Sequence, residues 1–579
     1  MVAVFAVAPV VLITLLIGLR GVAAMRTSSD FLVASRRISP LLNSAAVSGE
    51  YLSAASFLGV AGLVVKNGMG ALWYPVGFTA GYIAMLVLVA APMRRSGALT
   101  VPDFAEARLA SPALRRLAAV VVLVIGTLYL VPQFRTAGLV LNAVGGTPYW
   151  VGVVIAGTAV SATLALGGMR AATYVQAFQF VLKLVLFIVP AVWLVLQVSP
   201  AQRLEALNPV EFTHFPHQTT VSFSLDARLE IREPTSLGTG GALKVQQPGE
   251  LSVHTGQTLT FGEGAAVPGV RGGMPLGGPD WQRPLLDYDN KGYPLLGTWA
   301  VLIATMLGTM GLPHVLMRFH TSPDGRAARR TAAITVALLG VFYLFPGIYG
   351  VLGRIIVPEL YLSGATDTVV VALPSQVDSG WAGQLFTTLL TAGAFAAFLA
   401  TSLGLLLVVS GAIAHDLMPG GLRRLRWTVI VAAAVIVLLA LQSARLDAGI
   451  LVTWGFTVAA STFCPLLVLG IWWNRLTATG AVCGVLAGLL ASSGSIVMTL
   501  FGPKLDGLLA ILVAQPAPWS VPLAFATMVV VSSRGRAPTW STAAMLRLHL
   551  DERAPAAFHS TGAIHRSSTV RRLGRRLNR

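Results

Sequence analysis

Thirteen apolar runs recur along the chain, beginning near Val2, Leu41, Ala71, Ala113, Tyr149, Tyr174, Gly297, Thr331, Gly383, Trp427, Ala448, Gly480 and Ser520. Each is roughly 17–25 residues long, the length a helix needs to cross the hydrocarbon core of a bilayer. Only 11% of the residues are charged, where a soluble domain carries about 25%. A water-facing surface cannot be built from so few charges, so the runs are read as membrane helices. The expected fold is an all-α polytopic membrane protein of about 13 transmembrane helices. Because Met1 leads straight into an apolar run, with no basic region or small-residue cleavage site, the first run is expected to be a retained helix.

The formal net charge of +18 is explained by where the cations fall. With the N-terminus outside, 28 of the 41 Lys and Arg residues lie in the cytoplasmic loops and C-terminal tail. That is the positive-inside pattern, and it makes nucleic acid an unneeded partner. Arg318 is counted there among the loop cations of 318–330, whereas Arg135 and Lys183 fall within spans. Cys464 and Cys483 both lie in apolar spans and are read as packing residues.

One segment departs from the pattern. Residues 197–294 are polar and rich in Gly and Pro, and TVSFSLDARLEI and ALKVQQPGELSVHTGQTLTF alternate apolar with polar residues. An extracellular insertion with short strands is expected there, or else an unstructured loop. The resulting organisation is a first helix and loop (1–40), spans two to six (41–196), the insertion (197–294), spans seven to eleven (295–475), two further spans (476–533), and a basic cytoplasmic tail (534–579) with disorder as its default.

Within the second run lies SGEYLSAASFLG, residues 48–59. Glu50 falls near the midplane, where a charge costs about 2.5–3.5 kcal/mol on insertion scales for comparable groups. Such a residue usually faces a partner or a water-filled path. Gly49 and the three serines weaken the helix around it. A helix interrupted at the midplane frees carbonyls for a cation and amides for an anionic ligand. A second candidate break is LGTMGLPHVLMRF, residues 307–319, where two glycines and Pro313 interrupt the seventh run. The two breaks are five helices apart; an odd number makes the two halves enter the membrane from opposite sides, as an inverted repeat requires. A third element, AAFLATSLGLLLVVSGAIAHDL (396–417), offers a small-residue face with Thr401 and Ser402.

DFLVASRRISPLLNSAAVSGEYLSAASFLG, GGMRAATYVQAFQF, LGTMGLPHVLMRFHTSPDGRAARR, SGAIAHDL and FTVAASTFCPLLVLGIWWNRLTATGAVCG together resemble the sodium:solute symporter family, and within it the cation/acetate (monocarboxylate) permease branch. The resemblance runs from about Ser29 to Gly484, apart from the insertion. It implies thirteen helices, an external N-terminus and a five-plus-five inverted-repeat core of the LeuT-like kind. It also implies a Na⁺ ion between the interrupted first core helix and the eighth. By motif, the cation ligands fall on the carbonyls of Gly49, Leu52 and Ala397 and on positions 400 and 401. Many members carry hydroxyls at both of the last two positions, but this chain has Ala400 beside Thr401. Either Na⁺ or H⁺ is therefore expected as the coupling ion, and no other cofactor.

Substrate is expected between the two breaks, at Tyr51, Ser53, Gly308 and Thr309, with Gln133 matching a glutamine of the third core helix. Arg135 can attract a carboxylate through its planar fork or pair with Glu50, and Glu50 is the candidate coupling residue. The reading that follows is a symporter of the plasma (inner) membrane for a small monocarboxylate such as acetate. The alternatives are a symporter of the same family for an amino acid, sugar or longer organic acid, and a membrane sensor built on a transporter-like domain. An enzyme is not expected, and no obligate protein partner is predicted.

Overall fold

The computed structural model describes residues 2–21, 27–208, 213–223, 226–239, 243–287, 292–443, 448–503, 505–535 and 541–550. The first half of the bundle comprises α1 (Val2–Gly21), α2 (Pro40–Tyr51), α3 (Val60–Asn67), α4 (Trp73–Leu88), α5 (Pro112–Gly145) and α6 (Tyr149–Gln197). The second comprises α7 (Pro294–Gly311), α8 (Pro313–His320), α9 (Gly325–Tyr343), α10 (Pro346–Ile356), α11 (Trp381–Gly411), α12 (Leu422–Gln442) and α13 (Ala448–Trp472). Then follow α14 (Ala478–Phe501), α15 (Gly507–Ala514), α16 (Ala517–Arg534) and α17 (Ser541–His549).

Among the described residues, nine helical spans are long and apolar enough to cross a bilayer, or eleven when the bent pairs α2–α3 and α15–α16 each count as one. One of these spans is long enough for two crossings. The 49-residue α6 would reach on the order of 74 Å at ~1.5 Å per residue, about twice what a bilayer needs. It breaks at Gly168, whose φ of 54° and ψ of −153° suit only a residue without a Cβ. The apolar stretch Ala6–Leu19 of α1 is shorter than those spans. Each of the thirteen apolar runs thus has its helix. The core lies around α11 and α13, whose most apolar stretches are 94% and 89% buried, against 33% for α12.

Both expected breaks are present, and they differ. The chain bends by 65° between α2 and the helix that resumes at Ala55, with Leu52 at φ −70°, ψ 74° outside the helical region. The second break is a single extended residue, Leu312 (φ −69°, ψ 116°), ahead of Pro313. Proline has no N–H to continue the ladder and clashes with the preceding turn, yet at the first helical position it is well tolerated.

The insertion folds into seven short strands. These are β1 (Thr219–Ser222), β2 (Ala227–Ile231), β3 (Thr235–Gly238), β4 (Lys244–Gln246), β5 (Gly249–Val253), β6 (Thr258–Phe261) and β7 (Gly269–Val270). They make a four-stranded sheet in the order β1-β6-β3-β4 and a three-stranded sheet in the order β5-β2-β7. Leu229, Val253, Val221 and Leu259 are buried, and Phe215 stacks on Phe261 at 4.7 Å. The insertion is anchored on the bundle. Arg354 of α10 donates to Thr213 Oγ1 (2.9 Å) and to the Glu205 carbonyl (2.7 Å) and lies 5.2 Å from the ring of the buried Trp281. The indole of Trp73 on α4 donates to the Pro284 carbonyl at 2.6 Å.

Within the tail, Ser541–His549 form a helix packed on the bundle. Within α17, Ser541 and His549 are tied to the bundle by Arg108 (3.1 Å to Ser541 Oγ) and by the Ile471 carbonyl (2.9 Å from His549 Nε2). Residues 551–579 lie outside the described residues.

Candidate functional site

The break after α2 leaves carbonyls without helical partners, because the last four C=O groups of any helix lack N–H donors four residues ahead. All of those around the break are satisfied, but only partly by backbone. Leu52 N donates to the Ser48 carbonyl (3.0 Å) and Ser53 N to the Tyr51 carbonyl (2.7 Å). The Glu50 carbonyl accepts from Thr401 Oγ1 of α11 at 2.5 Å. The carbonyls of Gly49 and Leu52 both accept from Lys183 Nζ of α6, at 2.5 and 2.8 Å. A helix C-terminus carries a partial negative charge that favours a cation, and here that cation is a lysine. Lys183 is fully buried.

Close approach of α2 to α6 makes this contact possible. A Cβ at position 49 would overlap the carbonyl oxygen of Gln176. From Gln176, two helical turns at 3.6 residues each lead along one face of α6 to Lys183. The same face, followed backward, carries Thr173 and Met169, and these hold a second cation. Arg318, at the end of α8, is as buried as Glu50 and donates through Nε to Glu50 Oε2 at 2.5 Å. Its Nη1 donates to Thr173 Oγ1 (2.9 Å) and to Met169 Sδ (3.0 Å), and its Nη2 to Gln176 Oε1. Gln176 Nε2 in turn donates to the Ala400 carbonyl at 2.6 Å. The carboxylate of Glu50 rests on Gly404 of α11, where any Cβ would collide with it.

Glu50 therefore pairs with Arg318, which the sequence count placed among loop cations. Arg135 stands elsewhere, 4.0 Å from Asp367. Among the expected cation ligands, Gly49 and Leu52 face Lys183, Thr401 bonds the Glu50 carbonyl, and the Ala400 carbonyl accepts from Gln176; Ala397 is buried on the same helix. The carbonyls of Gly49, Leu52 and Ala400 already accept from protein donors, and Lys183 Nζ stands at the first two, so the seat as arranged here does not fit a Na⁺ ion. A second unit charge ~4 Å from Nζ would meet repulsion of about 4 kcal/mol at an effective dielectric of 20.

The expected substrate residues come together beyond the break. The Tyr51 and Thr309 hydroxyls are 2.8 Å apart, joining the first interrupted helix to α7. Gln133 Oε1 accepts from Ala54 N at 3.0 Å, satisfying an amide at the start of the resumed helix. Tyr129, one turn earlier on α5, donates to Ser53 Oγ at 3.2 Å. Gly308 lets α7 approach α13, since a Cβ there would overlap the Phe456 carbonyl. Aromatic rings wall this group: Tyr82 and Phe78 lie edge-on to Tyr51 at 4.7 and 5.8 Å, and Phe456 lies 5.8 Å from Tyr129. Small polar sites between helices, set in apolar walls, are typical of solute binding.

Comparison with known proteins now decides the family. Residues 31–219 and 294–488 match the model of the sodium:solute symporter family. The chain belongs to that family. It is a multi-pass solute symporter of a sodium-coupled family, a transporter and not an enzyme. The matched stretches leave out 220–293, which hold all the strands except the first residue of β1. The uncharacterized symporter YwcA of Bacillus subtilis (strain 168) is 28% identical over 492 residues, 83% of each chain. Among solved structures, the substrate-bound, outward-open state of a Na⁺-coupled sialic acid symporter superposes with a TM-score of 0.65 at 13% identity, over 93% of this chain and 98% of that one. MhsT in complex with L-phenylalanine gives 0.50 at 16% identity, over 84% and 98%. At these identities the likeness establishes the fold, which is LeuT-like.

Lys183 and Arg318, with Thr173 and Gln176, carry the buried polar network, and sequence reasoning did not single them out. One signal for Lys183 was available: a lone lysine within an apolar span is costly unless it has a partner. A second was the spacing of Met169, Thr173, Gln176 and Lys183, which places all four on one helix face.

Proposed function

We propose that the protein imports a small monocarboxylate, such as acetate, in symport with Na⁺ or H⁺. It would sit in the plasma (inner) membrane with the N-terminus outside and the C-terminus in the cytoplasm. Tyr51, Ser53, Gln133 and Thr309 would meet the substrate, Gly308 would let α7 close against α13 beside it, and Arg135 would draw the anion towards the site. Glu50 would tune the coupling through Arg318.

The observation that carries the reading is the cluster at the resumed half of the first interrupted helix. The amide end of a half-helix attracts an anion, and around this one stand four hydroxyls and a carboxamide walled by aromatic rings. A carboxylate of a few atoms needs little more than such donors, and the walls leave it no large polar surface to match. The formal charges of Glu50, Arg318 and Lys183 also leave one net positive charge in the bundle interior, a balance that favours an anionic solute.

Uptake of labelled acetate into proteoliposomes, with a sodium gradient and a proton gradient imposed separately, tests the reading. Accumulation driven by one of the gradients, inhibited by unlabelled short monocarboxylates, is expected. No acetate uptake, with uptake of an amino acid or sugar instead, would move the protein to another solute.

A further inference from the structure

We infer that the chain supplies its own cation to the seat between the first interrupted helix and α11: the ammonium of Lys183 takes the place at the Gly49 and Leu52 carbonyls where a coupling Na⁺ would bind. The inference concerns occupancy of this one seat and does not depend on the identity of the substrate.

The chemistry of the two cations makes the exchange reasonable. Both carry one positive charge, so the electrostatic demand of the broken helix end is met by either. They differ in how they are satisfied. Na⁺ needs a shell of oxygen lone pairs, whereas an ammonium has three N–H donors and needs only acceptors in their directions. Two carbonyls at 2.5 and 2.8 Å supply two of these. Ala400 offers no hydroxyl, and its carbonyl is bonded to Gln176 Nε2. Thr401 has turned its proton to the Glu50 carbonyl. A seat built to the ammonium's requirement is short of ligands for a bare ion.

The surroundings hold the ammonium in place. Lys183 is fully buried, and its helix is pressed against α2 at the bare Cα of Gly49. The charged groups near it are Glu50 of α2 and, bonded to that carboxylate, Arg318 of α8. Glu50 Oε2 is committed to Arg318, so the broken helix answers Lys183 with carbonyl dipoles, as it would a dissolved ion. With the lysine side chain shortened or made neutral, the carbonyls of Gly49 and Leu52 lose their donor, and together with the lone pairs of Thr401 Oγ1 and water they would be left to recruit a hard monovalent cation.

Two readouts on the full-length protein in detergent test this, neither of which involves substrate. In the first, thermal unfolding is followed as NaCl replaces choline chloride at constant ionic strength. The wild type is expected to melt at a temperature independent of sodium, and Lys183→Met to gain a saturable sodium-dependent rise, since a ligand bound only by the folded state raises its Tm. A folded Lys183→Met with no sodium response would overturn the inference. The second readout uses ¹⁵Nζ-labelled lysine. The chain has lysines only at 66, 183, 244, 291 and 504, so the Lys183 ammonium signal can be assigned by its loss in Lys183→Arg. In the wild type it is expected to stay unmoved as sodium is added, and this also supports the inference if the wild type is stabilised by sodium bound elsewhere or if Lys183→Met does not fold. A saturable displacement of that signal by sodium would overturn it. Failure of acetate uptake would leave both readouts intact, so the two proposals can fail separately.

Discussion

Two buried cations flank the same broken helix, and they are held in different ways. Arg318 is fixed by a carboxylate, a hydroxyl, a carboxamide and a thioether drawn from α2 and α6. Lys183 is held by two main-chain carbonyls. The first is a lock between parts of the bundle, because Glu50 and Arg318 sit on the two interrupted helices and neither can leave the other without stranding a charge. The second resembles the way a protein holds an ion: dipoles of an unwound helix end, no carboxylate bonded to it, and a ligand that could be exchanged. Charge neutralisation ties the helices together on one side, and on the other the break is kept open by a tethered cation.

Breaking the lock should produce the largest effect. Arg318→Met leaves the Glu50 carboxylate buried and unpaired, a loss of about 3–5 kcal/mol, and is expected to melt far below the wild type by fluorescence-monitored unfolding. The double variant Glu50→Gln/Arg318→Met should recover most of that loss. A single variant as stable as the wild type would show that the pair does not hold the helices.

Close packing comes next. Gly49→Ala puts a methyl group into the Gln176 carbonyl and should cost about 1–3 kcal/mol, the usual range for overpacking, while separating Lys183 from its carbonyls. If the comparison is right, this variant loses stability and also acquires the sodium sensitivity expected of Lys183→Met. Unchanged melting would show that α2 and α6 can part without consequence.

Glu50→Gln keeps the size of the side chain and a hydrogen bond to Arg318 while removing the charge. Its uptake is expected to fall with expression intact; wild-type uptake would remove Glu50 from the coupling. The smallest effect belongs to the insertion. Arg271 and Glu250 pair at 3.1 Å with side chains 54% exposed, so Arg271→Ala should cost about 0–1 kcal/mol and leave uptake unchanged. A clear loss of transport there would mean that the strands take part in it.

The apolar runs were legible because the bilayer dictates their length, and the breaks because Gly49 and Pro313 disturb helices by rules that hold anywhere. Glu50 stood out for the same reason, since a charge in an apolar run demands a partner. That partner was less visible. Arg318 is followed closely by Arg326, Arg329 and Arg330, and in sequence it reads as one more loop cation; the turn of α8 carries it inside. Lys183 meets carbonyls more than 130 residues earlier, and carbonyls have no sequence signature. The strands of the insertion could be glimpsed in its alternation, but their order, with β6 between β1 and β3, depends on long-range pairing that alternation does not encode.

Whether an ammonium or an ion occupies the break decides how the cation seat is filled, and an experimental density map of the protein prepared in sodium chloride would test this most directly. The prediction is continuous side-chain density that carries Lys183 Nζ to hydrogen-bond distance of both the Gly49 and Leu52 carbonyls. A separate ion at those carbonyls, with Lys183 swung away from them, would contradict it.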